Sequence, residues 1–310
     1  MKIYRYTPGE SIGEKTVIAL GFFDGVHEGH RRLFATAKAA AEKRGLTFTV
    51  FTFSAVGGIK GNTLIYSNDE KLSLLEKAGV EAVVIADFSN ISGFSPEEFV
   101  RGCLYRDLGC RLAVAGYDFR FGKNRGGDAA YLAQTLKSLG SECIIEEEHK
   151  INGEKISTTK IKELLALGMV EEAQIFLGHP YFIIGKVEHG RGAGAGLGFP
   201  TVNTKLDGER APLCRGVYRT AVEISGELYT GVTNVGTCPT FDEREIHAET
   251  YIVGYSGSLY GDTVKIFFLG YLREERKFSS PEELIMQINV DKNIAIKENG
   301  DLTWQAIGLS

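Results

Sequence analysis

The sequence predicts an α/β domain over residues 1–180 and then a mostly antiparallel β-barrel domain over residues 181–310 that ends in a helix. Up to Gly178-His179-Pro180, short apolar segments alternate with amphipathic ones, and this βαβα order favours a parallel sheet with helices on both faces. From Tyr181 to Leu272, short segments rich in aromatic and β-branched residues are separated by Gly, Asn and Pro turns, which is typical of an antiparallel barrel.

The strands and helices of the first domain are indicated by apolar runs and by their end signals. Val17–Gly21 is expected to be a buried strand, and the further expected strands are Leu46–Phe53, Ala82–Ile85, Leu112–Ala115 and Cys143–Ile145. The first helix carries Leu33, Ala37 and Ala40 on one face and ends at Gly45. The later helices begin at Asn68 or Asp69, at the capping box Ser95-Pro96-Glu97-Glu98, and at Asp128, from which the helix extends through Leu139.

In the second domain, examples of the expected strands are Tyr181–Val187, Gly216–Ile224, Leu228–Asn234, Ala248–Val253 and Thr263–Leu269. The last helix starts at a second capping box, Ser280-Pro281-Glu282-Glu283, and is expected to turn Leu284, Ile285 and Ile288 inward.

Composition limits the class of protein. The 310 residues are 43% hydrophobic and 24% charged, as in a soluble globular protein, and no apolar run is long enough to cross a membrane. The first residues lack the apolar core of a signal peptide. A net charge of −5 argues against broad binding of nucleic acid, and five cysteines without CxxC spacing indicate reduced thiols. We therefore expect a cytoplasmic enzyme that binds small molecules, neither nucleic acid nor membrane, as a monomer or weak homo-oligomer.

The segment GFFDGVHEGH, residues 21–30, leaves a strand and enters a helix. Glycines at such a turn let backbone N–H groups approach a phosphate, and the helix N-terminus adds a positive dipole end. His27 and His30, three residues apart, share one face of the first turn and could donate to phosphate oxygens. The alternatives are a surface turn with solvated histidines or a core histidine. HEGH lacks the HExxH spacing of a zinc helix.

This segment resembles the HxGH signature of nucleotidyltransferases, and more specifically the adenylyltransferase half of bacterial bifunctional riboflavin kinase/FAD synthetases. Residues 116–127 resemble the GxDFxFGxxRxG loop of that family, and residues 156–162 resemble its ISSTxIR segment. Taken alone, these two stretches could be a basic loop and an ordinary helix cap. The resemblance implies a Rossmann-like domain in which His27 and His30 are catalytic. It also implies nucleotide contacts from Gly21, Phe22, Asp24, Gly29, Asp118, Arg125, Ser157, Thr158, Thr159 and Lys162.

Residues 190–203 read GRGAGAGLGFPTVN, and five glycines in nine residues suggest a flap whose N–H groups meet phosphates, although a hairpin loop is the alternative. Thr201 and Asn203, two apart on an extended strand, face the same side and offer the oxygen ligands that Mg²⁺ prefers. The stretch resembles the LGFPTAN motif of riboflavin kinases, as do RGVY at 215–218 and GVTNVGTCPTF at 231–241. The resemblance implies contacts from Gly190, Arg191, Gly198, Pro200 and Asn203, Mg²⁺ held by Thr201 and Asn203, and Glu249 as general base. Without the resemblance, Glu249 would be an ordinary solvated charge on a strand.

The whole chain resembles the bifunctional enzyme, a multifunctional transferase. The resemblance implies that it makes FMN from riboflavin with MgATP and then FAD from FMN, with release of pyrophosphate. Three positions depart from the family pattern: residues 54–58 lack the usual Pro and His, Lys162 replaces an Arg, and Ala195 stands where Arg or Lys is frequent. Two alternatives stay open. One is a kinase alone with a degenerate first domain, and the other is a flavin-binding regulator without catalysis.

Overall fold

The computed structural model describes residues 1–54, 63–188, 199–206, 208–237 and 246–308. The chain folds into two compact units: unit 1 is Met1–Asn62 with Ser67–Ser157, and unit 2 is Thr63–Tyr66 with Thr158–Ser310. The segment just before residue 180 therefore groups with unit 2. The division of the activities at residues 1–180 and 181–310 stays a prediction.

Unit 1 is built on a six-stranded parallel sheet with strand order β1-β4-β3-β2-β5-β8. The strands are β1 (Lys2–Arg5), β2 (Thr16–Leu20), β3 (Thr47–Phe53), β4 (Ala82–Ala86), β5 (Cys110–Gly116) and β8 (Glu142–Glu146). The helices are α1 (Glu28–Arg44), α2 (Asn68–Lys77), α3 (Phe88–Ile91), a π-wound helix Glu98–Asp107 and α4 (Ala129–Ser138). Two short antiparallel pairs complete it: β6 (Arg120–Phe121) with β7 (Gly127–Asp128), around a 3₁₀ turn Lys123–Arg125, and β9 (Lys150–Ile151) with β10 (Glu154–Lys155).

Helices cover both faces of the parallel sheet. On one face, Phe34 of α1 lies 6.2 Å from Phe48 of β3, measured between ring centroids. On the other, Phe51 of the same strand lies 5.7 Å from Phe99 of the π-wound helix. Since successive side chains of a strand alternate between faces, β3 supplies aromatic residues to two cores. The predicted α/β class is confirmed.

The helix ends explain where the sequence prediction was right and where it was wrong. Gly45 ends α1 in the left-handed conformation (φ 63°), and Asp128 caps α4 through a bond from the Tyr131 amide. Helix α2 is capped by Ser67, not by Asn68 or Asp69. The Ser67 side chain accepts from the Glu70 amide, and the Glu70 carboxylate accepts from the Ser67 amide, so both groups of a capping box are satisfied one residue earlier.

Unit 2 contains a closed antiparallel barrel with strand order β11-β12-β15-β14-β13-β16. The strands are β11 (Tyr181–Glu188), β12 (Thr201–Lys205), β13 (Gly216–Ile224), β14 (Glu227–Thr237), β15 (Ile246–Ile252) and β16 (Thr263–Arg273). Helices α5 (Thr158–Ala166) and α6 (Val170–Leu177) precede the barrel, and α6 packs on β11 and β16. The predicted barrel is confirmed.

The C-terminal helix α7 (Pro281–Asn299) begins at the predicted cap, where the Ser280 hydroxyl accepts from the Glu283 amide at 3.3 Å. The Glu283 carboxylate accepts from the amide of Ser279, one residue earlier than a standard capping box would place it. The helix packs on β13 and β14 and half-buries Leu284, Ile285 and Ile288. Among the described residues, no helix combines the length and the apolar character needed to cross a membrane.

Candidate active sites

The turn between β2 and α1 holds a strained backbone. Phe23 and Val26 have positive φ values of 54° and 44°, which cost bulky residues free energy and are concentrated at functional sites. A Cβ at Gly21 would lie 2.8 Å from the ring of Phe23, so only glycine fits while Phe23 keeps its place. The sequence signal GFFDG thus marks a turn whose shape the surrounding structure enforces.

The two histidines of the HxGH motif lie against each other at the start of α1. His27 is the N-cap, and its Nδ1 accepts a hydrogen bond from the His30 amide at 3.3 Å. The two rings are stacked with centroids 3.5 Å apart, and Phe23 lies against the outer side of His30 with its ring edge-on. A Cβ at Gly29 would lie 3.3 Å from the His27 ring, so a larger residue would crowd the cap.

Both histidines are neutral at physiological pH. Burial lowers the pKa of His27 to about 4, although the charge of Asp118 acts in the opposite direction. Burial, and then the neighbouring His27, lowers the pKa of His30 well below its usual range. Because His27 Nδ1 accepts a bond, its proton is on Nε2, which is then available as a donor. A neutral ring can still donate one N–H to an anion, and the roles of both histidines stay predictions.

Two buried charged residues lie at the same turn. Asp24 is 4% exposed and Lys71, on α2, is 5% exposed. Lys71 donates to the Phe53 carbonyl at 2.9 Å and its ammonium lies 5.3 Å from the centroid of the half-buried Phe22 ring. Asp24 and Phe22 belong to the predicted nucleotide site, whereas Lys71 lies outside every recognised motif. A sequence signal was present, because Lys71 shares the apolar face of α2 with Leu74 and Leu75.

The loop residues of unit 1 are more exposed. Asp118 is exposed and forms an ion pair with Lys155 at 3.3 Å. Arg125 is exposed in the 3₁₀ turn with a φ of 56°. Ser157, the last residue of unit 1, is half-buried. An exposed arginine and a half-buried hydroxyl could contact a soluble anion, and their roles stay predictions.

Thr158, Thr159 and Lys162 belong to unit 2, in the first turns of α5. The buried face of this helix is formed by Ile161, Leu164 and Leu165. The Lys162 ammonium donates to the carbonyl of Thr63. A lysine has three N–H donors, so this bond leaves capacity for a phosphate.

The predicted kinase residues meet at a cavity of about 320 Å³ in unit 2. Thr201 on β12 and Glu249 on β15 both line it, and the Thr201 hydroxyl donates to Glu249 Oε1 at 2.9 Å. Asn203 is 6% exposed and pairs directly with Glu249 in the strand register. Residues two apart on β12 therefore face the same side, as the sequence indicated.

The other predicted residues of the kinase site divide into two groups. Gly190, Arg191 and Gly198 lie outside the described residues. Pro200 is exposed directly before Thr201.

Two further polar residues line the same cavity and were not predicted. Asn234 on β14 pairs with Glu249 on the other side of β15 and donates to Glu275 Oε1 at 3.2 Å. A Cβ at Gly236 would lie 2.1 Å from Glu275 Oε1, so the carboxylate occupies the space that any side chain there would need. Three strands thus place Thr201, Glu249 and Asn234 side by side, and Glu275 closes the row.

The cavity is also lined by apolar residues, and an ion pair holds α7 beside it. The apolar lining residues are Phe199, Val217, Val232, Leu284 and Ile288. Arg273 of β16 donates from Nη2 to Asp291 Oδ2 of α7 at 2.8 Å and from Nε to the same oxygen at 3.1 Å. Asp291 is 2% exposed, so this contact fixes α7 against the barrel. A planar apolar ring system could bind between α7 and the strands.

The residues at Thr201 fit a magnesium ion. A hydroxyl has one donor and two lone pairs, so a Thr201 hydroxyl that donates to Glu249 still has oxygen lone pairs for a cation. Mg²⁺ is commonly held by one or two protein ligands together with substrate phosphates and water. Within the described ranges, no cluster of three His, Cys, Asp or Glu residues forms a larger cage.

Comparisons with known proteins find two family models along the chain. Residues 10–160 match the family model of FAD synthetase, and residues 177–298 match that of riboflavin kinase. A bifunctional riboflavin kinase/FMN adenylyltransferase of Bacillus subtilis is 36% identical over 293 residues, which are 91% of this chain and 92% of the relative. The protein of the same description from Escherichia coli K12 is 32% identical over 288 residues, 90% of this chain and 91% of the relative.

A solved structure supports the fold over nearly the whole chain. It is described as a macrolide-efflux protein from Streptococcus pneumoniae, with a TM-score of 0.85 and 30% identity, and it covers 95% of this chain and 99% of that one. The efflux description belongs to that protein. Two family models and relatives similar over nine tenths of their length lead to one conclusion: this chain belongs to the family of bifunctional riboflavin kinase/FMN adenylyltransferases.

Proposed function

We propose that the chain makes FMN from riboflavin at the barrel cavity and FAD from FMN at the HxGH turn, with ATP as the donor in both steps. The observation that carries the proposal is the hydrogen bond from Thr201 to Glu249 inside a cavity with an apolar wall. The two family models favour two activities over a kinase alone and over a regulator without catalysis.

In the kinase step, Glu249 is the general base. The terminal hydroxyl of the ribityl chain attacks the γ-phosphorus of ATP, its proton passes to the Glu249 carboxylate, and the bond to the β–γ bridging oxygen breaks to release ADP. The bond from Thr201 holds Oε1 in place, so that Oε2 is available for the proton. The apolar wall between α7 and the barrel would hold the isoalloxazine ring.

Thr201 and Asn203 would hold Mg²⁺ at this site. When bound, the ion offsets the negative charge of the phosphates. Asn203 lies directly opposite Glu249, so the metal ligands and the base would lie on neighbouring strands, the ligands towards the phosphates and the base towards the attacking hydroxyl.

In the adenylyl transfer step, an FMN phosphate oxygen attacks the α-phosphorus of ATP. The bond to the α–β bridging oxygen breaks, and pyrophosphate leaves. The nucleophile is already anionic and needs little base catalysis, so positioning and charge stabilisation by the protein suffice. His27 and His30, both neutral, would donate to the transferring phosphate at the N-terminus of α1.

The test is one incubation of the purified full chain with riboflavin, ATP and Mg²⁺, with the flavins separated by chromatography. FMN and FAD together support both activities. If only FMN forms, the result supports a kinase with a degenerate first domain. If no FMN and no FAD form, the result supports a binding protein without catalysis. A parallel incubation that starts from FMN isolates the second reaction.

The HxGH residues are tested within the same chain. His30→Ala should reduce FAD formation from FMN by orders of magnitude and leave FMN formation unchanged, because the kinase residues lie in the other unit. If Lys162 is a weaker phosphate clamp than arginine, Lys162→Arg should hold or raise FAD synthesis. An His30→Ala variant that makes FAD normally would show that the adenylyltransferase site is elsewhere.

We further propose that both reactions take place in the cytoplasm and that the chain is a monomer or a weak homo-oligomer. Cys103, Cys110, Cys143 and Cys214 are free thiols, which suits a reducing compartment. Sedimentation of the purified chain over a range of concentrations tests the second part.

A further inference from the structure

Lys71 connects two strand ends at the HxGH turn. Its ammonium donates to the Phe53 carbonyl at 2.9 Å and to Thr52 Oγ1 at 3.3 Å, both at the carboxyl end of β3. Thr52 Oγ1 in turn donates to the Phe22 carbonyl at 2.8 Å, in the turn that follows β2. A lysine on α2 thereby links β3 to the segment that carries Phe22 and Asp24.

The charge of this lysine is balanced by Asp24. Burial lowers the pKa of Lys71 to about 8, while the carboxylate of Asp24 acts in the opposite direction and favours the charged form. Strand β3 presents a hydroxyl and a carbonyl to the ammonium, and the turn presents the neutral ring of Phe22. On α2 itself, the Glu70 carboxylate bonds the Ser67 amide, and Asp69 is exposed. Asp24 is therefore the charged group of the described chain that acts on Lys71.

A buried charge is costly, and packing alone does not require one at this position. Removing an ammonium from water is strongly unfavourable, and a buried lysine is rare without a specific partner. An apolar residue would continue the face formed by Leu74 and Leu75. A function at the anion site would explain why the Lys71 ammonium is buried despite this free-energy cost. The negative charge of Asp24 repels a triphosphate, and the positive charge of Lys71 reduces that repulsion.

We infer that Lys71 is a positioning residue for adenylyl transfer: its ammonium holds the turn after β2 against β3 and offsets Asp24, so that the turn accepts the triphosphate of ATP. The inference rests on the proposed second activity. The lysine acts through Thr52, Phe22 and Asp24, and it is not required to touch the substrate.

The test compares Lys71→Gln and Lys71→Arg in the full chain, with Lys77→Gln as the matched control, since Lys77 is exposed at the other end of the same helix. FAD formation is started from FMN, so that only the second activity consumes ATP. Lys71→Gln should raise the KM for ATP about tenfold or more, the size typical of a lost charged contact. Lys77→Gln should leave the KM unchanged. The kcat for FAD formation at saturating ATP, which a misfolded unit 1 would lower in proportion, checks that this unit is folded in each variant.

The pH profile separates the charge from a purely structural role. Lys71 loses its proton as the pH rises through its pKa of about 8. The wild-type KM for ATP should therefore increase between about pH 7 and about pH 9. Arginine stays charged over this range, so Lys71→Arg should keep the KM flat. The double variant with Asp24→Asn and Lys71→Gln should have a lower KM for ATP than Lys71→Gln alone, because the carboxylate charge that Lys71 offsets is absent.

Three results would overturn the inference. A wild-type ATP KM in Lys71→Gln would show that the ammonium is not needed. An alkaline increase that persists in Lys71→Arg would assign the titration to another group. A wild-type chain that forms no FAD at all would remove the proposed second activity and the inference together, whereas the first two results leave that activity intact.

Discussion

The Thr201 hydroxyl donates to Glu249 Oε1 at 2.9 Å, and both residues line one cavity of the barrel. They are 48 positions apart in the chain and are brought together by the antiparallel pairing of β12 and β15, in which Thr201 stands opposite Tyr251 and Asn203 opposite Glu249. The bond joins the proposed metal ligand to the proposed base. A substitution at either residue should therefore alter the position of the other side chain.

Thr201 offers a matched pair of substitutions. Thr201→Ser keeps the hydroxyl that bonds Glu249 and could bind Mg²⁺, so FMN formation should stay within a few-fold of wild type. Thr201→Val keeps the shape and removes both interactions, so the Mg²⁺ dependence of FMN formation should shift or disappear. The measurement is the rate of FMN formation over a Mg²⁺ titration. If the valine variant keeps the wild-type titration, Thr201 is not a metal ligand.

Glu249→Gln removes the proton acceptor and keeps the size and the oxygen that accepts from Thr201. FMN formation should fall by about 10²–10⁴-fold, the usual size of a lost general base, while riboflavin binding stays close to wild type. The turnover rate is measured by chromatography, and binding by quenching of flavin fluorescence. Turnover near the wild-type rate in this variant would contradict the role of Glu249 as base.

Elements of the fold with a clear local sequence pattern were predicted better than elements without one. Local patterns predicted the capped helices and both sheet classes, because an apolar run or a Ser-x-x-Glu box acts within a few residues. The same logic failed at α2, where Ser67-x-x-Glu70 was overlooked in favour of Asn68 and Asp69. The short edge strand β1 was also missed, since its residues are mostly exposed and alternate only weakly.

The candidate sites were predictable only in part. Motif residues such as His27, Thr201 and Glu249 were found because they lie in recognisable segments. Lys71, Glu275 and the pair of Arg273 with Asp291 were not, since their partners are distant in sequence. The strand register that brings Asn234 beside Glu249 is a tertiary property, and no local pattern encodes it.

The ion pair between Arg273 and Asp291 should contribute more to stability than a second pair on the same helix. Asp291→Asn leaves Arg273 without its charged partner in a site where the Asp291 side chain is 3% exposed and that of Arg273 is 20% exposed. The free energy of unfolding should fall by about 2–3 kcal/mol. The KM for riboflavin should rise, because α7 forms a wall of the cavity. Glu298→Gln, at a pair with Arg219 in which Glu298 is 51% exposed, should change stability by less than about 1 kcal/mol. The stability of both variants is measured by denaturant unfolding, monitored through the fluorescence of Trp304. Equal decreases in the free energy of unfolding would contradict the argument from burial.

His27 should make the stability of helix α1 depend on pH. Its pKa is about 4 in the folded chain and about 6.5 when unfolded, so between these values the unfolded chain binds a proton that the folded chain does not. The stabilisation is present above about pH 6.5 and is lost as the pH falls towards 4. His27→Asn keeps an N-cap acceptor and removes the titrating ring. When the pH falls from about 7 to about 5, the free energy that stabilises α1 should therefore decrease by about 2 kcal/mol more in the wild type than in the variant. Hydrogen exchange of the amides of residues 28–44 at the two pH values measures this difference, and parallel losses in both proteins would show that His27 is not buried as a neutral ring.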